Sequence, residues 1–177
     1  MGAVKFITDS EIYQQVIIEQ VCNARKFLLL ATSDLKDLYI HKGSQFVPFL
    51  ELLAELIKGG VEVRLLHAKE PGSNFRKDFD KYPVLASSME RILCPRVHFK
   101  SIVVDGKFAY CGSANLTGAG IGAKSDSRRN FEAGFITEDK TLINAIMDQF
   151  DSIWMGSRCP TCNRKEFCTD YRELILE

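Results

Sequence analysis

His98-Phe99-Lys100-Ser101-Ile102-Val103-Val104-Asp105-Gly106-Lys107-Phe108-Ala109-Tyr110-Cys111-Gly112-Ser113-Ala114-Asn115 is the stretch whose reading decides the fold. His98 and Lys100 are two residues apart, so on a strand they share a face. Asp105-Gly106 is a hairpin-type turn, and it returns the chain as a second strand. That return carries Gly112-Ser113-Ala114-Asn115 back beside His98 and Lys100. An imidazole, an ammonium, a hydroxyl and a carboxamide then collect at one end of a sheet, a set with little use in packing a core.

The chain around this hairpin alternates helices and strands. Thr8-Asp9-Ser10-Glu11 has the form of a capping box, and Ile12, Val16, Ile17 and Val21 follow at helical spacing. Phe27 to Thr32 is an uncharged buried strand. Phe46 to Lys58 is an amphipathic helix that stops at Gly59-Gly60, and Val61 to His67 alternates as a strand. A polar helix covers Asn74 to Ile92 with a break near Pro83. The strand pair Val97 to Val104 and Phe108 to Gly112 comes next. A Gly-rich loop then leads to a strand over Phe131 to Thr137. The last helix, Asp139 to Trp154, aligns Leu142, Ile146, Phe150 and Trp154. The expected fold is α/β, a central mixed β-sheet with helices on both faces. Residues 1–156 form the domain and 157–177 a cysteine-bearing tail.

The chain has 177 residues, enough for one real core, and 46% of them are apolar. Lys plus Arg and Asp plus Glu are 23 each, so recognition of a polyanion must use a local patch. Met1 to Ser10 lacks the pattern of a signal peptide, and no apolar run reaches the length of a transmembrane segment. A cytoplasmic protein is expected, with its six cysteines reduced or metal-bound.

The residues at the strand ends suit phosphodiester chemistry. Histidine as a residue type serves as a nucleophile or a proton shuttle, and His98 is the candidate for that role. Lys100 and Asn115 can donate to non-bridging phosphate oxygens, Ser113 adds a hydroxyl, and Gly112 allows close backbone approach. The pattern H-x-K-x4-D-x6-G-S-x-N resembles the HKD motif of the phospholipase D superfamily at every defining position. The likeness runs on through Leu116-Thr117-Gly118 to Asn130-Phe131-Glu132 and spans about Lys5 to Trp154. It implies that His98 attacks phosphorus to form a covalent phosphohistidine, while a second motif's histidine protonates the leaving group and later activates water. It also implies that Lys100 and Asn115 bind the phosphate with help from Ser113. By the same resemblance Asp105 completes the catalytic motif as a structural acid away from the phosphate. Glu132 is the expected acceptor for the other ring nitrogen of His98. The presence of Asp105 argues against the tyrosyl-DNA phosphodiesterase branch.

The chain carries one such motif, whereas larger relatives carry two. His41-Lys42 lacks the intervening residue, and His67-Ala68-Lys69 lacks the downstream Asp and Gly-Ser-x-Asn. Two-step histidine chemistry needs two imidazoles on one phosphate. A C2 homodimer sharing one active site is therefore expected, as in the small one-motif nucleases of the superfamily. The resemblance implies no cofactor for catalysis.

Gly118, Gly120 and Gly122 followed by Lys124, Arg128 and Arg129 read as a polyanion track beside the phosphate site. Phe75, Phe79 and Tyr82 with Arg76, Lys77 and Lys81 read either as base-stacking residues or as one packed helix face. Nucleic acid is the expected substrate. A phospholipid, or a phosphate-binding scaffold without catalysis, is the alternative.

Cys159-Pro160-Thr161-Cys162 with Cys168 gives C-x2-C-x5-C, and the first pair has knuckle spacing. Arg158, Arg164 and Lys165 would favour thiolates. Cys94 is the expected fourth ligand, while Cys22 and Cys111 read as core. A structural zinc is the first expectation and an iron–sulfur cluster the second.

Overall fold

The structure is a computed structural model and describes residues 3–36, 38–43 and 45–170, so residues 171–177 of the cysteine tail lie outside it. The strands are β1 (Val4–Thr8), β2 (Phe27–Thr32), β3 (Tyr39–Lys42), β4 (Gln45–Pro48), β5 (Glu62–His67), β6 (Glu90–Leu93), β7 (Lys100–Val104), β8 (Phe108–Gly112) and β9 (Ala133–Thr137). The helices are α1 (Ser10–Ile12), which continues as a π-helix over Tyr13–Ile18, then α2 (Phe49–Lys58), α3 (Ser73–Phe79), α4 (Pro83–Ser88) and α5 (Lys140–Trp154). Seven strands form one mixed sheet in the order β1-β9-β8-β7-β2-β5-β6, and β3 and β4 form a separate hairpin. β2, β5 and β6 are parallel, and the other neighbours are antiparallel.

The expected architecture is the one observed. β2 is central, and its successive residues feed two cores, as a strand's period of two requires. Leu28 and Leu30 pack with Val63, Leu65, Ile102 and Tyr110 against the face holding the π-helix and α2. Leu29 and Ala31 pack with Leu66, Val103 and Ala109 against Ile143, Phe150 and Trp154 of α5. Each fully buried side chain of this kind contributes roughly 1.5–3 kcal/mol through removal from water. α5 starts where the Asp139 carboxylate accepts from Thr141 N at 3.0 Å and Leu142 N at 3.2 Å.

Several boundaries differ from the sequence expectation. β1 carries no strong pattern, because it is a sheet edge with Val4 and Phe6 exposed. The capping box forms by half, with Thr8 N donating to Glu11 Oε2 at 3.0 Å. Phe46 belongs to β4, where it pairs with His41 and is 53% exposed, and α2 starts only after Pro48, whose extended backbone forms its N-cap. The expected helix to Ile92 ends at Ser88, and Glu90–Leu93 pairs with β5 as an edge strand. In α5, Ile143 is buried where Leu142 was expected, and Leu142 leans over the open part of the sheet. Among the described residues no helix is long and apolar enough to cross a membrane.

Candidate active site

The topology ends five strands on one side of the sheet. β1 and β2 finish there at Thr8 and Thr32, β7 begins at Lys100, β8 ends at Gly112, and β9 begins at Ala133. Register places Lys100 opposite Gly112, and Gly112 opposite Gly134, so the residues just outside these ends converge. This is also the carboxyl end of the parallel strands, where open α/β sheets hold their ligands.

His98 lies two residues before β7, not on it, and is exposed. The strand starts later than the alternation suggests because Cys94–Val97 forms a turn, with Val97 N donating to Cys94 O at 2.9 Å. Lys100 ties this loop down, its Nζ donating to His98 O at 2.5 Å. Lys100 is 7% exposed, and burial pushes its pKa below the ordinary lysine value while Glu132 pulls it back up. An anion beside it would recover that lost solvation. A buried cation next to an exposed imidazole suits a phosphate bound over both.

Asn115 is oriented through its carbonyl. Its Oδ1 faces four donors at the end of β2: Thr32 Oγ1 (3.2 Å), Ser33 N (3.2 Å), Ser33 Oγ (2.8 Å) and Asp34 N (3.1 Å). The amide nitrogen is thereby turned away, free to donate to a ligand. Thr32 Oγ1 also accepts from Leu116 N at 3.1 Å, fixing the segment that follows.

Ser113 and Glu132 form a second unit. Ser113 Oγ donates to Glu132 Oε2 and accepts from Ala133 N at 3.1 Å, and Asn130 Nδ2 donates to Glu132 Oε1 at 3.1 Å. Glu132 is held by two hydrogen bonds with Asp9: Asp9 N donates to Glu132 O, and Glu132 N donates to the Asp9 side-chain Oδ1, each at 2.9 Å. Among the described residues its carboxylate thus serves Ser113 and Asn130, and the expected bond to His98 is not formed.

Asp105 lies elsewhere. It follows the far end of β7, five residues beyond Lys100 and hence about 16 Å away. Its carboxylate accepts from the backbone N–H of Arg25 (3.0 Å), Lys26 (2.7 Å) and Phe27 (3.1 Å), and it adopts φ +54° in the hairpin turn. It braces the start of β2.

Gly112 has a packing reason: an added Cβ would fall on Tyr110 Oη and Ala133 O. Gly122, at φ +84°, lies against the Asp9 carbonyl, so the Gly-rich loop is packed onto the segment that holds Glu132. Lys124 and Arg128 are exposed, but Arg129 is paired with Asp126. The expected track therefore keeps two unpaired cations of its three among the described residues. Phe75 is buried and stacks on Phe79, and Tyr82 Oη donates to Glu51 at 2.9 Å, so this aromatic group is a packed face.

The other histidines have structural surroundings. His67 is 1% exposed, its Nδ1 lies 2.7 Å from Lys69 O, and burial lowers its pKa. His41 is exposed on the β3–β4 hairpin against Phe46. All six cysteines are free thiols. Cys94, Cys159, Cys162 and Cys168 line a single cavity, although among the described residues no three Cys, His, Asp or Glu side chains converge closely enough to hold one metal ion. Cys22 is packed against the core, but Cys111 is exposed on β8.

Sequence reasoning missed Thr32, Ser33 and Asp34, which orient Asn115, and Asp9, which holds Glu132. The available signal was Thr-Ser-Asp at the end of an apolar strand, where polar residues meet a ligand edge. It also passed over Phe131, beside Glu132 and 95% exposed.

The arrangement gathers an imidazole, an ammonium, a hydroxyl and a carboxamide at one end of an α/β sheet. The family model described as "Cardiolipin synthase, PLD-like domain" matches residues 17–154, and the chain belongs to this family within the phospholipase D superfamily. Among solved structures, the chain is similar to the phospholipase D family member Nuc from Salmonella typhimurium, with TM-score 0.62 and 16% identity over 87% of this chain and 95% of that one. It is similar to NucT from Helicobacter pylori, with TM-score 0.63 and 14% identity over 88% and 97% of the two chains. A third likeness is to phosphatidylserine synthase from Haemophilus influenzae Rd KW20, with TM-score 0.58 and 16% identity over 86% of this chain and 39% of that one. At these identities the likeness is one of fold. No curated protein matches the chain by sequence.

Proposed function

We propose that this protein is a metal-independent phosphodiesterase that cleaves nucleic acid as a homodimer, through a covalent phosphohistidine on His98. The observation that carries the reading is one exposed imidazole beside a buried ammonium and an amide turned outward, all at one end of the sheet. Lys100 and Asn115 hold the non-bridging oxygens, and His98 attacks phosphorus with departure of one ester oxygen. His98 of the partner subunit protonates that oxygen, then removes a proton from the water that releases the phosphoryl group. Ser113 assists at the same phosphate by turning its one hydroxyl proton from Glu132 to a phosphate oxygen. The exposed Lys124 and Arg128 supply local positive charge to a strand, and Phe131 offers an aromatic face on which a base can stack. The free thiols fit a reducing compartment, and we place the activity in the cytoplasm.

A lipid reading has its own support. Phe6 and Phe135 pair across the sheet at 5.3 Å, and the half-open face beside α5 exposes Val4, Phe135 and Leu142. Parallel assays on single-stranded DNA, RNA and phosphatidylcholine vesicles test both. Cleavage of a nucleic acid, lost in His98→Ala, with an acid-labile phosphoryl label on wild type, is the expected result. Turnover of lipid alone would overturn the nuclease reading, and equal background cleavage by wild type and His98→Ala would overturn the enzyme reading. Titrating wild type with excess His98→Ala should depress activity through mixed dimers. A monomer by sedimentation at assay concentration would refute the shared site.

A further inference from the structure

The four cysteines that line one cavity are brought there by three different parts of the chain. Cys94 follows β6, and its N–H donates to His67 O at 2.8 Å. Cys159 and Cys162 close a tight turn after α5, with Cys162 N donating to Cys159 O at 3.0 Å. Cys168 follows the short helical turn Lys165–Phe167, and its thiol lies 3.6 Å from Leu93 O. Asp170 fastens the same segment, accepting from Leu93 N at 2.7 Å. The cavity between them measures about 190 Å³. The remaining two cysteines, Cys22 and Cys111, do not line it.

From these positions we propose that the four thiols ligate an iron–sulfur cluster of the [4Fe–4S] type, which staples the C-terminal tail to the loop carrying His98. The placement of the cysteines selects a cluster over a single ion. Tetrahedral zinc at about 2.3 Å from each sulfur needs its thiolates about 3.8 Å apart. Here the four cysteines line one cavity, and among the described residues no three of them are placed to hold a single ion. A cubane holds one thiolate on each iron corner and so takes ligands that are farther apart around a larger space. The surrounding charge suits a four-thiolate centre of either kind. Four thiolates on a dipositive core leave two negative charges, and Arg96, Arg158 and Arg164 line the cavity with Asp170 as the only opposing carboxylate among the described lining residues. Ligation releases the four thiol protons to solvent and makes four iron–sulfur bonds, with no change of oxidation state required of the protein. The placement also gives the cluster a task. Cys94 and Phe99, at opposite ends of the His98 loop, both face the cavity, so a filled centre fixes that loop from behind.

The test is independent of the phosphodiesterase reading. Full-length protein purified anaerobically, with iron and sulfide supplied during reconstitution, should carry about four of each per chain. It should show a sulfur-to-iron charge-transfer band that bleaches with dithionite. Cys94→Ser, Cys162→Ser and Cys168→Ser should each lose most of the bound iron, while Cys22→Ser and Cys111→Ser keep it. Circular dichroism of each variant separates ligand loss from unfolding. One equivalent of zinc without sulfide would overturn the cluster, as would protein with no bound metal, a Cys94–Cys168 disulfide, or full iron in Cys94→Ser.

Discussion

Replacing Asp105 separates the brace of the fold from the chemistry. The carboxylate accepts from three successive backbone N–H groups, those of Arg25, Lys26 and Phe27. Arg25 and Lys26 are exposed, so water replaces much of what their amides lose, whereas Phe27 is half-buried and its amide loses more. Hydrogen bonds to a charged acceptor contribute about 1.5–3 kcal/mol each when desolvated and less when wet. For Asp105→Ala the three together amount to roughly 2–3 kcal/mol. Position 105 also holds φ +54°, which Asp and Asn tolerate better than Ala, adding about 1 kcal/mol. The expected cost is then about 3–4 kcal/mol for Asp105→Ala. For a chain of this size that lowers Tm by roughly 6–16 °C. Asp105→Asn keeps one acceptor and the backbone preference, and should cost about 1–2 kcal/mol. Urea melts followed by tryptophan fluorescence give both values, since Trp154, the last residue of α5, lies in the core. Below the melting range, kcat on bis(p-nitrophenyl) phosphate should stay within about threefold of wild type, because the carboxylate is some 16 Å from Lys100. A variant with wild-type stability and activity lowered a hundredfold or more would refute this placement.

Lys100→Met should lower kcat by about a thousandfold, the cost of removing one charge-stabilising donor, while leaving the fold intact by circular dichroism. The folded-state pKa of Lys100 lies below its unfolded value, so between the two the unfolded chain binds more protons and stability should rise with pH. That alkaline rise should disappear in Lys100→Met, as urea melts at stepped pH will show. Asn115→Asp keeps the oxygen that faces Ser33 and Thr32 but exchanges the outward donor for negative charge, so activity should fall about a hundredfold or more with no loss of stability. Gly112→Ala should destabilise by about 2–3 kcal/mol through collision with Tyr110 Oη, and adding Tyr110→Phe should recover part of that in a double-mutant cycle of thermal melts.

The motif from His98 to Asn115 was legible because its chemistry rests on residue types at fixed separations, and a hairpin of any register near the expected one brings its ends together. The central strands were legible for a different reason. Phe27–Thr32 has both faces covered, and an uninterrupted apolar run has few other uses. The edge strands carried weaker signals: Val4–Thr8 exposes alternate apolar residues, and Glu90–Leu93 continues a polar stretch whose pattern also suits a helix. Asp105 stands within the motif in sequence but at the other end of its strand in space. Only the direction of β7 relative to β2 shows that it braces backbone amides eighty residues away.

By itself, then, the sequence determined the α/β class, the superfamily it resembles and the identity of the polar groups on the β7–β8 hairpin, since these rest on residue types at short-range spacing. The tertiary structure decided what those groups touch. The turn at Thr32-Ser33-Asp34 orients Asn115, Asp9 holds Glu132 across more than a hundred residues, and Glu132 engages Ser113. It also brought Cys94 to the cavity of Cys159, Cys162 and Cys168, a meeting that depends on the packing of α5 and the tail against β6. Contacts between segments distant in the chain depend on how whole elements pack, and no local pattern of residues encodes them one pair at a time.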